Sequence, residues 1–409
     1  MVQTAFVVGF HTENSYKLGE VVKPAGMSRL RLNAGQTTRS KGQAVLRFAI
    51  VAIFALVSAC TRAPDAVGVD TVVPVDTVEG IATHEVFIAT TRAPSTDDAE
   101  FFSGDRQLGL SFASVDVTVP PIHEPGKIER TKADTPDPRR HFTIQDPNAF
   151  ANRQGFMRDL EAALLQKTPE QRNVLLFIHG YNTTMTDAIF QVAQFVEDTD
   201  YDGIPILFSW ASGGAVSQYV YDLNSVLVAR DGLASMGQVL QSPAIKHFDL
   251  LAHSMGNFLT MEVVREASIV GRSENIGKAR NIVLASPDID IDLFMTQLKR
   301  IPRENRTFVV MVSDDDRALA VSSLVDGSTV KVGRAPADEL AKLGVIAIDL
   351  SEIEDQSTLS HSKFSESPEI VQLIGKGLAT RSTFGDSPET TGDFLRSSVD
   401  GLVDIFIPN

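Results

Sequence analysis

The sequence predicts an α/β fold with a mostly parallel central sheet and helices on both faces, and three observations carry that prediction. From Asn173 onward, short and continuously apolar runs of strand length recur: NVLLFI, IPILFSW, FDLLA, NIVLAS, TFVVMV and GVIAIDL. Segments with helical spacing separate these runs. Strands without a polar face are buried on both sides, as parallel strands joined by crossover helices are.

The first 60 residues stand apart from this pattern. They carry seven Lys or Arg against two Asp or Glu, whereas the remaining chain holds 30 basic and 50 acidic residues. With a net charge of -15 overall, a sequence-independent grip on nucleic-acid phosphate is excluded as a working principle. After Arg47 comes FAIVAIFALVSAC, residues 48 to 60, an uncharged run of signal-peptide length and too short to span a bilayer. Its end, Val57-Ser58-Ala59-Cys60, resembles the lipobox of bacterial lipoproteins, with Cys60 as the lipidated first residue of the mature chain. Cys60 is the sole cysteine, so no intrachain disulfide forms. Residues 1 to 59 are therefore expected to be a lipoprotein signal peptide, with Met27 as an alternative start. Thr61 after the cysteine favours the outer membrane, facing the periplasm.

Residues 60 to 82 mix Pro, Asp and Val without helical period and read as a flexible tether. One folded domain is expected over 83 to 380, with a C-terminal tail from 381 to 409. At its front, HEVFIATTR (84 to 92), LGLSFASVDVTVPP (108 to 121) and HFTIQ from His141 read as strands that would form one antiparallel edge. Residues 122 to 140, rich in Pro and charge, read as a loop. Helices are expected near 150 to 166, 186 to 198 and 216 to 240, alternating with the apolar strands.

One strand ends abruptly. In LLAHSMGNFL, residues 250 to 259, the apolar run breaks at His253-Ser254-Met255-Gly256 and a helical pattern starts at once. A strand-turn-helix corner of this kind holds a serine Oγ clear of the sheet, beside the positive end of the helix that follows. Small residues are needed two before and two after the serine, because strand and helix approach closely; here they are Ala252 and Gly256. The pattern is thus A-x-S-x-G in place of the commoner G-x-S-x-G.

A serine hydroxyl needs a base to take its proton and an acid to orient that base. On this arrangement the chain order is serine, then acid, then histidine. Of eight histidines only His361 follows Ser254, in the loop STLSHSKF beyond the GVIAIDL strand. For the acid, VVMVSDDDRAL presents Asp314, Asp315 and Asp316 at the end of a strand. Asp316 is favoured, Asp315 comes second, and the rival is LASPDID with Asp288 and Asp290; one of the three consecutive aspartates can cap the next helix while another orients His361. The oxyanion would be met by the N–H of Met255 and by that of Tyr181 in FIHGYNTT, where Gly180 permits a tight loop. His179 reads as a structural part of that loop. Trp210 reads as a buried packing residue at least as readily as a ligand contact, and Tyr219, Tyr221 and Asp222 read as the face of an amphipathic helix before they read as pocket lining.

The blocks FIHGYN, FSWAS, LLAHSMGNFLTMEVVRE, VLASPDID, VSDDDRALAVS and HSKF, in this order, resemble a family of largely uncharacterised bacterial α/β-hydrolases with esterase- or lipase-like sites, over roughly residues 84 to 375. The resemblance implies the α/β-hydrolase fold, a Ser254-Asp316-His361 triad and an oxyanion loop at Gly180-Tyr181; it implies no particular substrate. Neither a metal site nor a nucleotide loop is present as a motif, and no cofactor is expected. The expected function is a serine hydrolase acting on small-molecule or lipid carboxylic esters, attached to the membrane through its N-terminal lipid and without nucleic acid as partner. Two other readings share these residues: a non-catalytic envelope scaffold on the same fold, and an amidase or peptidase.

Overall fold

The computed structural model describes residues 62–271, 278–302, 308–327, 329–354, 359–379 and 403–408. The signal peptide expected over 1 to 59 and the lipidation site expected at Cys60 lie outside the described residues.

All six apolar runs are strands. In chain order the elements are β1 (Ala82–Pro94), β2 (Phe102–Val119), β3 (Thr143–Phe150), α1 (Arg153–Gln166), β4 (Asn173–Ile178), α2 (Met185–Asp198), β5 (Ile204–Ser209), α3 (Tyr219–Leu240), β6 (His247–His253) and α4 (Met255–Ile269). Then follow β7 (Ala279–Ala285), α5 (Ile291–Leu298), β8 (Phe308–Val312), α6 (Arg317–Val325), α7 (Ala337–Lys342), β9 (Ile346–Asp349), α8 (Lys363–Glu366), α9 (Pro368–Ala379) and β10 (Asp404–Phe406). The strands form one sheet in the order β10-β9-β8-β7-β6-β4-β5-β1-β2-β3. From β9 across to β1 every pairing is parallel, while β2 and β3 complete the antiparallel edge that the front of the sequence announces.

Period-2 alternation assigns each strand residue to a face. Val174, Leu176 and Ile178 of β4 pack in one core with α1, α3 and α4, while Leu175 and Phe177 pack in the other with α2 and α9. Both cores are continuous across the sheet, which is why these strands carry no polar face. The parallel strands all end on the same side, and their C-terminal ends carry the loops described below.

Two expected boundaries are corrected. Residues from Arg62 belong to the folded domain and are not a free tether. Val67 is buried and bridges Ile144, the Ala66 N–H donates to Thr186 Oγ1 at 3.2 Å, and Arg130 Nη2 donates to the carbonyls of Ala63 and Pro64 at 3.3 and 2.7 Å. A segment with no periodicity of its own is held here by partners from distant parts of the chain. At the other end, the expected tail contributes β10, which adds antiparallel to β9 and extends the sheet.

The loop between β2 and β3 is pinned by His123. Its Nδ1 meets Glu129 at 2.8 Å and its Nε2 meets Asp198, at the end of α2, at 2.7 Å. Burial lowers the affinity of this imidazole for its proton, but the two carboxylates outweigh it and hold the pKa up to about 9.

Candidate active site

Ser254 stands at the corner between β6 and α4 with φ of +51° and ψ of -121°, a conformation that side-chain-bearing residues rarely adopt. The strained peptide is fixed from several sides. The Ser254 N–H donates to Ala285 O at 3.0 Å, and the Ser254 carbonyl accepts from the Asn257 N–H at 3.1 Å and the Asp288 N–H at 3.2 Å. Asn257 Nδ2 adds a third donor to that carbonyl at 3.0 Å. A methyl group on Gly256 would stand 2.5 Å from the carbonyl oxygen of His179 and 2.8 Å from that of Ile178. The glycine two after the serine is therefore demanded by the approach of α4 to the end of β4. Ala252 is fully buried, so its methyl fits.

The loop after β4 crosses directly over this corner. A Cβ on Gly180 would meet Ser254 Cβ at 2.8 Å and His253 Nδ1 at 3.0 Å. Among the described residues, no protein acceptor takes the backbone N–H of Tyr181 or of Met255. Two free amides thus belong to the segments that flank the serine.

His361 and Asp316 are brought together: His361 Nδ1 donates to Asp316 Oδ2 at 2.7 Å, and the carboxylate is fully buried. The ring of His361 lies 4.8 Å from that of His253, the neighbour of Ser254, and His253 Nε2 donates to the His361 carbonyl at 3.3 Å. Burial first, and then the facing His361, push the His253 pKa well below the usual range, so His253 stays neutral. No hydrogen bond joins the Ser254 hydroxyl to His361 among the described residues. In apo hydrolases that contact is frequently open and closes with substrate.

The other acid candidates are engaged elsewhere. Asp315 pairs with Lys363 Nζ at 2.8 Å, and Asp314 is exposed. Asp288 is buried and accepts from Tyr219 Oη at 3.0 Å, Ser322 Oγ at 3.0 Å and Lys331 Nζ at 2.9 Å. Lys331 itself is buried and also pairs with Asp326. Burial disfavours its charge, yet Asp288 and Asp326 prevail and raise its pKa.

Behind the loop at Gly180 lies a polar network that the sequence does not reveal. His179 stacks on Trp210 at 4.9 Å and 19°, donates from Nδ1 to the Gly180 carbonyl at 2.8 Å and receives the Ser209 hydroxyl at Nε2, 3.0 Å away. Burial, reinforced by nearby Arg92, lowers its pKa to about 3. Both ring nitrogens of His179 are thus engaged within the network. Trp210 Nε1 closes the stack by donating to the His179 carbonyl at 2.9 Å.

Arg92, at the end of β1, is buried and donates to Thr183 O at 2.6 Å, Ser212 O at 3.0 Å and Ser209 Oγ at 2.8 Å. Its pKa falls to about 10, because desolvation exceeds the pull of Asp222. Asp222 accepts from Ser212 Oγ at 2.6 Å, the Gly213 N–H at 2.8 Å and the Asn182 N–H at 3.2 Å. Asp222 thus belongs to the support of the loop rather than to a solvated helix face. The one sequence signal for Arg92 is a charge shortly after the apolar stretch 86–89 of β1.

The family model for an α/β hydrolase of unknown function (DUF900) matches residues 155–377. The chain belongs to this family. No curated protein matches it. Among solved structures it is similar to Aspergillus fumigatus lipase B, at 12% identity and a TM-score of 0.34 over 58% of each chain. It is similar also to EstE1, a thermophilic carboxylesterase from a metagenomic library, at 12% identity and a TM-score of 0.31 over 82% of this chain and 96% of that one. Esterases from the fungus Rhizomucor miehei match at 11% identity and a TM-score of 0.32, over 75% of this chain and 85% of theirs.

Proposed function

We propose that this family member is a serine hydrolase that cleaves carboxylic esters through a covalent acyl-enzyme. Ser254 is the nucleophile, His361 the general base and Asp316 the acid that orients it. The observation that carries this reading is the 2.7 Å bond from His361 to Asp316, beside a serine held at positive φ.

In this reading Ser254 Oγ attacks the ester carbonyl carbon while its proton passes to His361 Nε2. The carbonyl π pair moves onto oxygen, where the N–H groups of Met255 and Tyr181 stabilise it. As the acyl C–O bond breaks, His361 returns the proton to the leaving alkoxide. A water then repeats the sequence on the acyl-enzyme, freeing the acid and restoring Ser254. Asp316 keeps the Nδ1 proton of His361 in place and stabilises the imidazolium.

The same reading makes Cys60 the lipid attachment site and puts the enzyme at the bacterial outer membrane, facing the periplasm, where lipid or small-molecule esters are its substrates. Cys60→Ser is expected to leave the enzyme active but unlipidated. Turnover of an ester, thioester and amide panel by the purified protein is the test of the chemistry. Fastest cleavage of esters supports the reading, fastest cleavage of amides favours a peptidase, and a folded protein that turns over none of them favours a scaffold.

A further inference from the structure

We propose that Arg62 is a positioning residue of the oxyanion hole, which clamps the loop that carries the Tyr181 N–H from outside the sheet. The inference rests on the hydrolase reading above and adds a residue to that same site.

An oxyanion donor works when it is left unpaired and held still before the charge arrives. In the loop over Ser254, the N–H groups that follow Tyr181 all have acceptors within the protein. That of Asn182 donates to Asp222 Oδ2 at 3.2 Å, that of Thr183 to Ser212 Oγ at 3.1 Å, and that of Thr184 to Asp187 Oδ2 at 3.2 Å. The Tyr181 N–H has no such acceptor among the described residues. The rest of Tyr181 is tied down. Its carbonyl accepts from Thr183 Oγ1 at 3.1 Å, and its hydroxyl donates to the Val216 carbonyl.

Two guanidinium groups hold the next carbonyls of this loop, and each bridges to the loop after β5. Arg92 joins Thr183 O, at 2.6 Å, to Ser212 O, at 3.0 Å. Arg62 joins Asn182 O, at 2.7 Å from Nη2, to Gly214 O, which accepts from Nη1. Asn182 has a φ of +57°, a conformation that persists only where its surroundings fix it. Arg62 Nη2 also pairs at 2.9 Å with Asp187 Oδ2, the oxygen that takes the Thr184 N–H. One side chain thus holds the loop on both sides of Thr183. Its planar fork spans several acceptors at once, which a lysine ammonium does less well. The Arg62 side chain is 36% exposed, whereas Arg92 is buried. Removing Arg62 therefore releases the clamp without opening the core.

The test compares the full chain with its Arg62→Ala and Arg62→Lys variants on a nitrophenyl ester and on the thiono analogue, in which sulfur replaces the carbonyl oxygen. Sulfur accepts hydrogen bonds weakly. The oxygen-over-sulfur ratio of kcat/KM therefore reads the oxyanion donors, and a general loss of stability does not move it. Arg280→Met is the control: Arg280 pairs with the buried carboxylate of Asp249, toward the other end of β6 from Ser254. Arg62→Ala is expected to lower kcat on the oxygen ester by about tenfold to a hundredfold, with KM little changed. The oxygen-over-sulfur ratio should fall with it, and Arg62→Lys should recover part of both. Arg280→Met should lower the melting temperature and leave the ratio unchanged. If the unsubstituted protein turns over the ester, an unchanged ratio in Arg62→Ala, or an equal fall in Arg280→Met, overturns the proposal alone. No turnover by the unsubstituted protein overturns the hydrolase reading, and the positioning role with it.

Discussion

Asp316 serves His361 and a helix with the same carboxylate. Oδ2 accepts from His361 Nδ1 at 2.7 Å, while Oδ1 accepts from the Leu319 N–H at 2.9 Å and caps α6. The sequence presents capping and orientation as alternatives to be divided among three aspartates, and the structure assigns both to one. Rotation of this carboxylate is blocked at both oxygens, so the position of His361 is fixed by the start of α6.

Asp316→Asn and Asp316→Ala should separate these duties. Asparagine still caps, so Asp316→Asn is expected to lower kcat by about three to four orders of magnitude with little change in melting temperature. Asp316→Ala should lose a similar share of activity and about 1 kcal/mol of stability besides. Steady-state kinetics and thermal unfolding on the pair check this. Near-normal kcat in Asp316→Asn would remove it as the orienting acid.

Asp288 should behave in the opposite way. Its carboxylate compensates buried Lys331 and anchors Tyr219 and Ser322. Removing one partner of a buried pair costs about 3 to 5 kcal/mol. Asp288→Asn is therefore expected to unfold at clearly lower denaturant while kcat at low temperature stays near wild type. A crippled kcat with unchanged stability would return Asp288 to the position of triad acid.

His123 predicts a pH dependence with a definite sign. Its folded pKa of about 9 lies above the ordinary 6.5. Below 6.5 both folded and unfolded chains hold the proton and the stabilisation is fully present; between 6.5 and 9 the unfolded chain releases it first, and stability declines. His123→Gln should flatten the fall in melting temperature over that window. An unchanged slope would show that His123 is not the titrating group. The neutral His179 acts in the other direction, since its contribution is present above pH 6.5 and is lost on acidification toward its pKa of about 3.

The legible parts of this chain were those with local patterns. Continuous apolar strands, intervening helices and the break at Ser254 are written within windows of ten residues or so, and the fold follows from them. Of the His361–Asp316 pair, His361 stood out by position, as the one histidine after the serine, while Asp316 was one of several aspartates that the sequence alone left open. The support of the loop at Gly180 was not legible, because Arg92 reaches Thr183 across 91 positions and Ser212 across 120. Arg62 to Gly68 was misread for the same reason: its partners Asn182, Thr186 and Ile144 lie far along the chain. β10, only three residues long, carries too little pattern to be seen without β9 beside it.

The most direct measurement is the site of a fluorophosphonate adduct, mapped by peptide mass spectrometry on the purified protein. The expected result is a single adduct on the peptide containing Ser254, absent in Ser254→Ala and strongly slowed in His361→Ala. An adduct on another serine, or labelling that persists in Ser254→Ala, would contradict the assignment of Ser254 as nucleophile.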